Sequence, residues 1–319
     1  MRKNYSLFTI SILAVSLTAN AFVVDWGKIT HWAGSGDARS ALVVQFDDGL
    51  AEKAYVWGYR WNSADGQPSG EDMFRAIASE SDDLYLFTQY TGWMGNTVCG
   101  IGVSPDNVIG NYIAYDFDSA QEDPNISFNW FSANELLGQT SVPGWDTPDI
   151  CAVAIDEAKK TNILEHPIDA KTYGYACYDY DHWFMETPDG TRRWQAGWYK
   201  GYWSYWVGGI DSESLSYSGL GYTSRKLDDG SVDAWKYTPL TASPGGDTPD
   251  GYSGASTPWH ELDYNHFTAG NITSAAIENT ENGRALYSLD GIRVPEGTQP
   301  KPGIYILIDG TTSKKIIIH

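Results

Sequence analysis

Four adjacent residues carry the side chains best suited to chemistry: Tyr180-Asp181-His182-Trp183. A carboxylate beside an imidazole offers a general acid–base pair or two metal ligands. The competing reading is a histidine in an aromatic strand, hydrogen-bonded to a neighbour. The six histidines stand at 31, 166, 182, 260, 266 and 319, and only His260 and His266 approach ligand spacing. Asp116, Asp118, Glu122 and Asp123 gather oxygens suited to calcium, but EF-hand spacing is absent and a solvated acidic loop is the simpler account. Cys99, Cys151 and Cys177 fit no metal pattern and read as buried thiols acting as small hydrophobes. The chain lacks G-x-S-x-G, H-E-x-x-H, C-x-x-C and a phosphate-binding glycine loop. Its 41 acidic residues leave a glycosidase carboxylate pair neither indicated nor excluded. The expectation is a binding protein with no catalytic residues, cofactor or metal.

What it binds is suggested by its rings. Five of the 14 tryptophans lie between Tyr173 and Trp206, among closely spaced tyrosines. Rigid Trp and Tyr rings offer large contact area at low entropic cost, with N–H and O–H groups for polar edges. A second ring row runs Tyr55, Trp57, Tyr59, Trp61, all on one face of a strand because side chains alternate. The candidate ligand-binding residues are Trp57, Tyr59, Trp61, His182, Trp183, Trp194, Trp198, Tyr202, Trp203 and Trp206. The same rows serve equally well as the core of an aromatic sandwich.

The elements that must position these rings are mostly strands. Apolar or alternating runs at 41–46, 55–61, 84–90, 98–103, 111–117 and 231–237 are bounded by Asp, Gly, Asn and Pro turns. Pro188-Asp189-Gly190 predicts a hairpin that lays two aromatic arms side by side on one sheet. Ser69 and Asp72 have capping-box spacing, with Met73, Phe74 and Ile77 as the buried stripe of a helix. Thr147-Pro148-Asp149 opens a second helix with lysines at its end. The predicted fold is an antiparallel β-sandwich, jelly-roll-like, with two short helices and a small C-terminal β tail.

The 319 residues divide by composition into a leader at 1–21, a main domain at 22–238, a linker at 239–270 and a β tail at 271–319. Arg2-Lys3, the apolar run at 7–17 and Ala19-Asn20-Ala21 form a cleavable export signal, too short to span a bilayer. A net charge of −20 argues against nucleic acid and anionic membranes as partners.

Two resemblances extend this reading. The tail, with Leu286-Tyr287-Ser288-Leu289-Asp290-Gly291, Gly303-Ile304-Tyr305-Ile306, a hairpin, then Lys314-Lys315 and branched apolar residues, resembles the C-terminal sorting signals of type IX secretion. It is shorter than full-length domains of that kind. The resemblance implies passage across the outer membrane and display on, or release from, the cell surface. The main domain, through segments 43–49, 55–61, 70–73, 201–206 and 229–235, resembles exported bacterial proteins that accompany corrinoid (vitamin B12) uptake. That resemblance implies capture of a corrinoid alongside an outer-membrane uptake system; from its place among the rings, His182 is the residue that would approach the cobalt of such a ligand. A glycan-binding surface protein is the alternative, since exposed rings also stack on sugar faces.

Overall fold

The computed structural model describes residues 22–92, 95–105, 109–123, 149–167, 178–186, 188, 191–239, 258–266, 284–288, 294, 303–309 and 312–318. The leader, residues 124–146, the predicted Thr147-Pro148 helix start, Tyr173 to Cys177 and the predicted turn at Asp189-Gly190 lie outside these residues. The chain forms two units, Met1–Thr268 and Ala269–His319.

In the first unit the strands are β1 (Trp32–Gly34), β2 (Ala38–Gln45), β3 (Lys53–Trp61), β4 (Leu84–Tyr90), β5 (Asn96–Val103), β6 (Ile113–Tyr115), β7 (Ile163–Glu165), β8 (Trp183–Met185), β9 (Arg193–Ala196), β10 (Gly201–Gly208), β11 (Ser216–Tyr217), β12 (Ser231–Pro239) and β13 (Glu261–Asp263). The helices are α1 (Gly70–Glu80), α2 (Phe117–Glu122) and α3 (Asp149–Thr161). The protein is mainly β, and two of its sheets face each other across a shared core.

The larger sheet runs β1-β3-β2-β12-β10-β11, with β13 also on β3. Alternation gives it two apolar faces. Leu42, Val44, Tyr55, Trp57, Trp203, Tyr205, Trp235 and Tyr237 face inward, against α1 and the four-stranded sheet β7-β4-β5-β9. Ala41, Val43, Ala54, Val56, Val232 and Ala234 face the other way, under Phe22, Val24, Ile29 and Tyr264. The smaller sheet is likewise two-sided. Leu84 and Leu86 join the shared core, while Tyr85 and Phe87 pack with Cys99, Cys151, Trp183 and Trp194 beneath α3. A bulge opposite Phe87/Thr88 lets Val98 and Ile101 share a face despite their odd spacing.

The predicted helix at Ser69 forms as read. Asp72 N–H donates to Ser69 Oγ at 3.1 Å, and Ser69 N–H to Asp72 Oδ2 at 2.8 Å. The second helix starts at Asp149, and α2 is an addition: Asp116 ends the strand and caps a helix by accepting from Ser119 N–H at 3.1 Å.

Three expectations need correction. The sheets are mixed, not purely antiparallel: β12 runs parallel to β2, β1 and β13 parallel to β3, and β7 parallel to β4. These partners are joined by long crossovers, which permit parallel pairing where a tight turn does not. Among the described residues the predicted hairpin pairing is absent, since β8 pairs with β6 and β9 with β5. The arms still meet in one core cluster, where Trp183 and Trp194 both pack on Phe87 and the Trp194 indole donates to the Trp183 carbonyl. The linker reading of 239–270 fails over its last part, because β13 pairs with β3 and His266 is 5% exposed.

The second unit is a three-stranded antiparallel sheet of β14 (Arg284–Ser288), β15 (Gly303–Asp309) and β16 (Thr312–Ile318). Its strands match the segments predicted from sequence, with β15 and β16 turning after Asp309.

Candidate functional site

The candidate rings separate into distinct places. Trp57, Trp183 and Trp194 are core residues, at 0, 1 and 7% exposure. Their N–H groups are used internally, by Asp83, Asp179 and the Trp183 carbonyl respectively. Tyr59 and Trp61 stack on each other at the far end of β3, 5.8 Å between centroids. Trp206 faces outward toward Trp259, and the buried Lys236 ammonium lies 5.2 Å and 4.4 Å from those two rings. His182 Nε2 donates to Asp123 Oδ2 at 2.9 Å, and His182 is not among the residues lining the cleft of the other rings.

Trp198, Tyr202 and Trp203 do come together. With Tyr205, Tyr217, Tyr222 and Trp235 they line a cleft of about 320 Å³ at the β10–β11 edge. Its rim is open: Tyr217 is 46% exposed and Leu220 56%. Its floor is rigid. Tyr205 stacks on Trp235 at 4.4 Å, Trp235 meets Tyr222 edge-on, and the Trp203 indole donates to the Gln195 carbonyl at 2.9 Å. Gly201 is required where β10 enters, since a Cβ there would run into the Tyr237 ring.

Asp181 fixes one corner of this cleft by backbone capture. Its carboxylate accepts from the N–H groups of Trp198, Tyr199 and Lys200 at 2.7, 2.7 and 2.8 Å. Trp198 is further held by stacking on Tyr178 at 4.7 Å. The residue chosen from sequence as an acid–base candidate is therefore an anchor of the cleft wall.

His166 and Asp179 form another histidine–carboxylate pair, at 2.7 Å and fully buried. Tyr180 donates to Gln89 Oε1, which turns the Gln89 amide toward His166 Nδ1 at 3.1 Å and leaves Nε2–H to Asp179. This network lies against Phe87 and Trp183 beneath the smaller sheet. Nearby, burial pushes the Cys99 thiol up, and the Cys151 thiol up to about 12, so both remain protonated and unreactive.

Sequence spacing gave no warning of a second concave site. His31, Asp83 and His266 meet beside a cavity of about 480 Å³ bordered by Thr30, Trp57, Glu80, Ser81, Asp82 and Asn265. His266 Nδ1 is 2.5 Å from Asp83 Oδ2, and His31 Nε2 is 3.9 Å from the same oxygen. The two imidazoles stack at 4.1 Å. His266 has φ +46°, a left-handed conformation that a non-glycine residue adopts under constraint. Burial, then the neighbouring His266, pushes His31 down, so its neutral form is favoured. Burial opposes the Asp83 charge, but hydrogen bonds from His266, Ser81 and Trp57 outweigh it and hold the carboxyl below the usual range.

Comparison with protein-family models, curated proteins and solved structures returns no match.

Proposed function

We propose that this chain is an exported, non-enzymatic binding protein whose aromatic cleft at the β10–β11 edge captures a flat-faced ligand. The observation that carries this reading is the convergence of Trp198, Tyr202, Trp203 and Tyr217 on one open-rimmed cleft with a stacked, hydrogen-bonded floor. Rings fixed before binding lose little freedom on contact, and their N–H and O–H groups suit a ligand with polar edges. At about 320 Å³ the cleft is at the small end of small-molecule sites. It holds a sugar ring or receives one edge of a corrin. Capture outside the cell follows from the export features read at both ends of the sequence, and a corrinoid would be handed to an outer-membrane uptake system.

The test measures binding of cobalamin and of a glycan panel to the whole protein by calorimetry, with Trp198→Ala and Tyr217→Ala as variants. Both side chains are partly exposed, so the fold survives their loss. The expected result is a ligand of one class whose affinity falls about tenfold or more in each variant, consistent with loss of a ring stack worth roughly 1–3 kcal/mol by analogy with base–aromatic stacking. Binding of either class that is unchanged in both variants, or absence of binding by both classes, overturns the reading. Which class binds decides between corrinoid and glycan.

A further inference from the structure

We infer that His31, Asp83 and His266 bind one divalent transition-metal ion of the zinc class, at a site separate from the aromatic cleft. The argument rests on which edge of each side chain remains. Thr30 Oγ1 donates its hydrogen to the Tyr264 carbonyl at 2.6 Å, so toward His31 Nδ1, 2.9 Å away, it accepts. His31 therefore carries its proton on Nδ1 and presents the Nε2 lone pair to the cavity. His266 Nε2 lies 2.7 Å from the Val56 carbonyl and donates to it, which leaves Nδ1 as the edge turned to Asp83. Asp83 Oδ1 accepts from the Trp57 indole at 2.9 Å and from Ser81, which leaves Oδ2.

A metal ion that displaces the Nδ1 proton through which His266 donates to Asp83 meets three converging lone pairs, while every opposite edge is engaged by a second partner. Carbonyl- or hydroxyl-oriented histidines and a hydrogen-bonded carboxylate are the outer arrangement that metal ligands require. The three donor atoms lie within 4.8 Å of one another. A tetrahedral shell with bonds of 2.0–2.1 Å spaces its ligands by roughly 3.3 Å. The 3.9 Å gap to His31 closes, and the 2.5 Å contact opens, by under an ångström each. His31 is half-exposed at the rim and turns out of its stack on His266 to aim Nε2. Two nitrogens and one oxygen suit zinc-class ions over magnesium or calcium, which take oxygen ligands. Three protein ligands leave a coordination position facing the cavity, where Glu80 and Asp82 add negative charge.

The experiment titrates the metal-stripped full chain with Zn²⁺ and, separately, with Co²⁺, Mg²⁺ and Ca²⁺. Zn²⁺ is expected to bind one per chain and to raise Tm by roughly 5–10 °C at a hundredfold excess over Kd. Co²⁺ is expected to give the visible bands of a four- or five-coordinate site, and Mg²⁺ and Ca²⁺ no shift. His31→Ala, at a half-exposed position, leaves the metal-free Tm unchanged and weakens Zn²⁺ at least tenfold. Asp83→Asn keeps an acceptor for Trp57 and also weakens it. No Zn²⁺-dependent shift, or an equal shift in His31→Ala, overturns the assignment. The cleft variants Trp198→Ala and Tyr217→Ala leave Zn²⁺ binding intact, so this site and the proposed ligand cleft fail independently.

Discussion

Asp233 sits in β12 with 1% exposure, accepting from the Tyr205 hydroxyl and 3.6 Å from the Arg225 guanidinium. Burial raises its carboxyl to about 6 against 3.8 for the free side chain. A raised carboxyl is protonated in the folded chain while already ionised in the unfolded one. Stability therefore falls as pH rises from about 4 to about 6 and the full cost is present above that. The shift corresponds to on the order of 3 kcal/mol. Asp233→Asn is expected to gain up to that amount at pH 7 and nothing at pH 4. Urea denaturation of both proteins across this range checks it, and parallel curves would refute it. The same scale shows what sequence can reveal of a site. Tyr180-Asp181-His182-Trp183 was legible as a group of chemical side chains. Its roles were not, because three of its polar ends find partners well away along the chain, at Gln89, the 198–200 backbone and Asp123, and only Trp183 has a near one, Asp179. His31 was visible only as an isolated histidine and His266 only beside His260, since Asp83 and His266 are 183 residues apart.

Strands and caps were legible because alternation and capping are local. Pairing was not, since it depends on which surfaces remain uncovered. The ring row at 55–61 was correctly read as one face, yet that face looks into the shared core and not to solvent. β8 and β9 do not pair with each other because β5 offers its edge to β9, yet Trp183 and Trp194 are buried in one cluster beneath the smaller sheet. What then fastens β9 to the larger sheet is Arg193, fully buried. Its guanidinium holds Asp48 through two nitrogens, Nε to Oδ2 at 2.9 Å, donates to the Phe46 carbonyl at 3.3 Å and lies 4.6 Å from the Phe46 ring centroid. Arg193→Met leaves the Asp48 carboxylate, 7% exposed, without its counter-charge. A loss of about 3–5 kcal/mol is expected. Pairing it with Asp48→Leu removes the stranded charge, and most of the loss should return. A double-mutant cycle in guanidinium chloride measures both, and additive losses would show that the pair is not the fastening.

At the scale of the whole first unit, both sheets are covered on both faces, so each layer depends on the next. The outermost layer over the larger sheet is built from opposite ends of the unit. Phe22 packs on Trp259 at 5.2 Å, Asp25 N–H donates to the Tyr264 hydroxyl at 2.7 Å, and Lys53 pairs with Asp263 at 2.9 Å. Residues 239–257 are rich in Pro, Gly, Ser and Thr, and the sequence therefore reads as if the domain were finished at β12. Composition identifies a chain that buries little by itself. It does not show whether the chain beyond returns to a sheet with an unfilled edge and an apolar face. Here it returns, because the edge of β3 accepts β13 and the space beside Trp57 accepts the His266 ring at 4.3 Å. A chain ending at Pro239 loses β13, Trp259, Tyr264 and His266 together. It exposes the outer face of β2 and β3 and leaves Asp83 without its imidazole. Fully burying one large apolar side chain is worth roughly 1.5–3 kcal/mol, so the total is on the order of 5 kcal/mol. Compared with a chain ending at Thr268, the shorter one is expected to unfold at markedly lower denaturant with a smaller m-value, since less surface is buried to begin with. Equal midpoints would mean that the 258–266 segment only rests on the sheet, and that the domain does end where its composition changes.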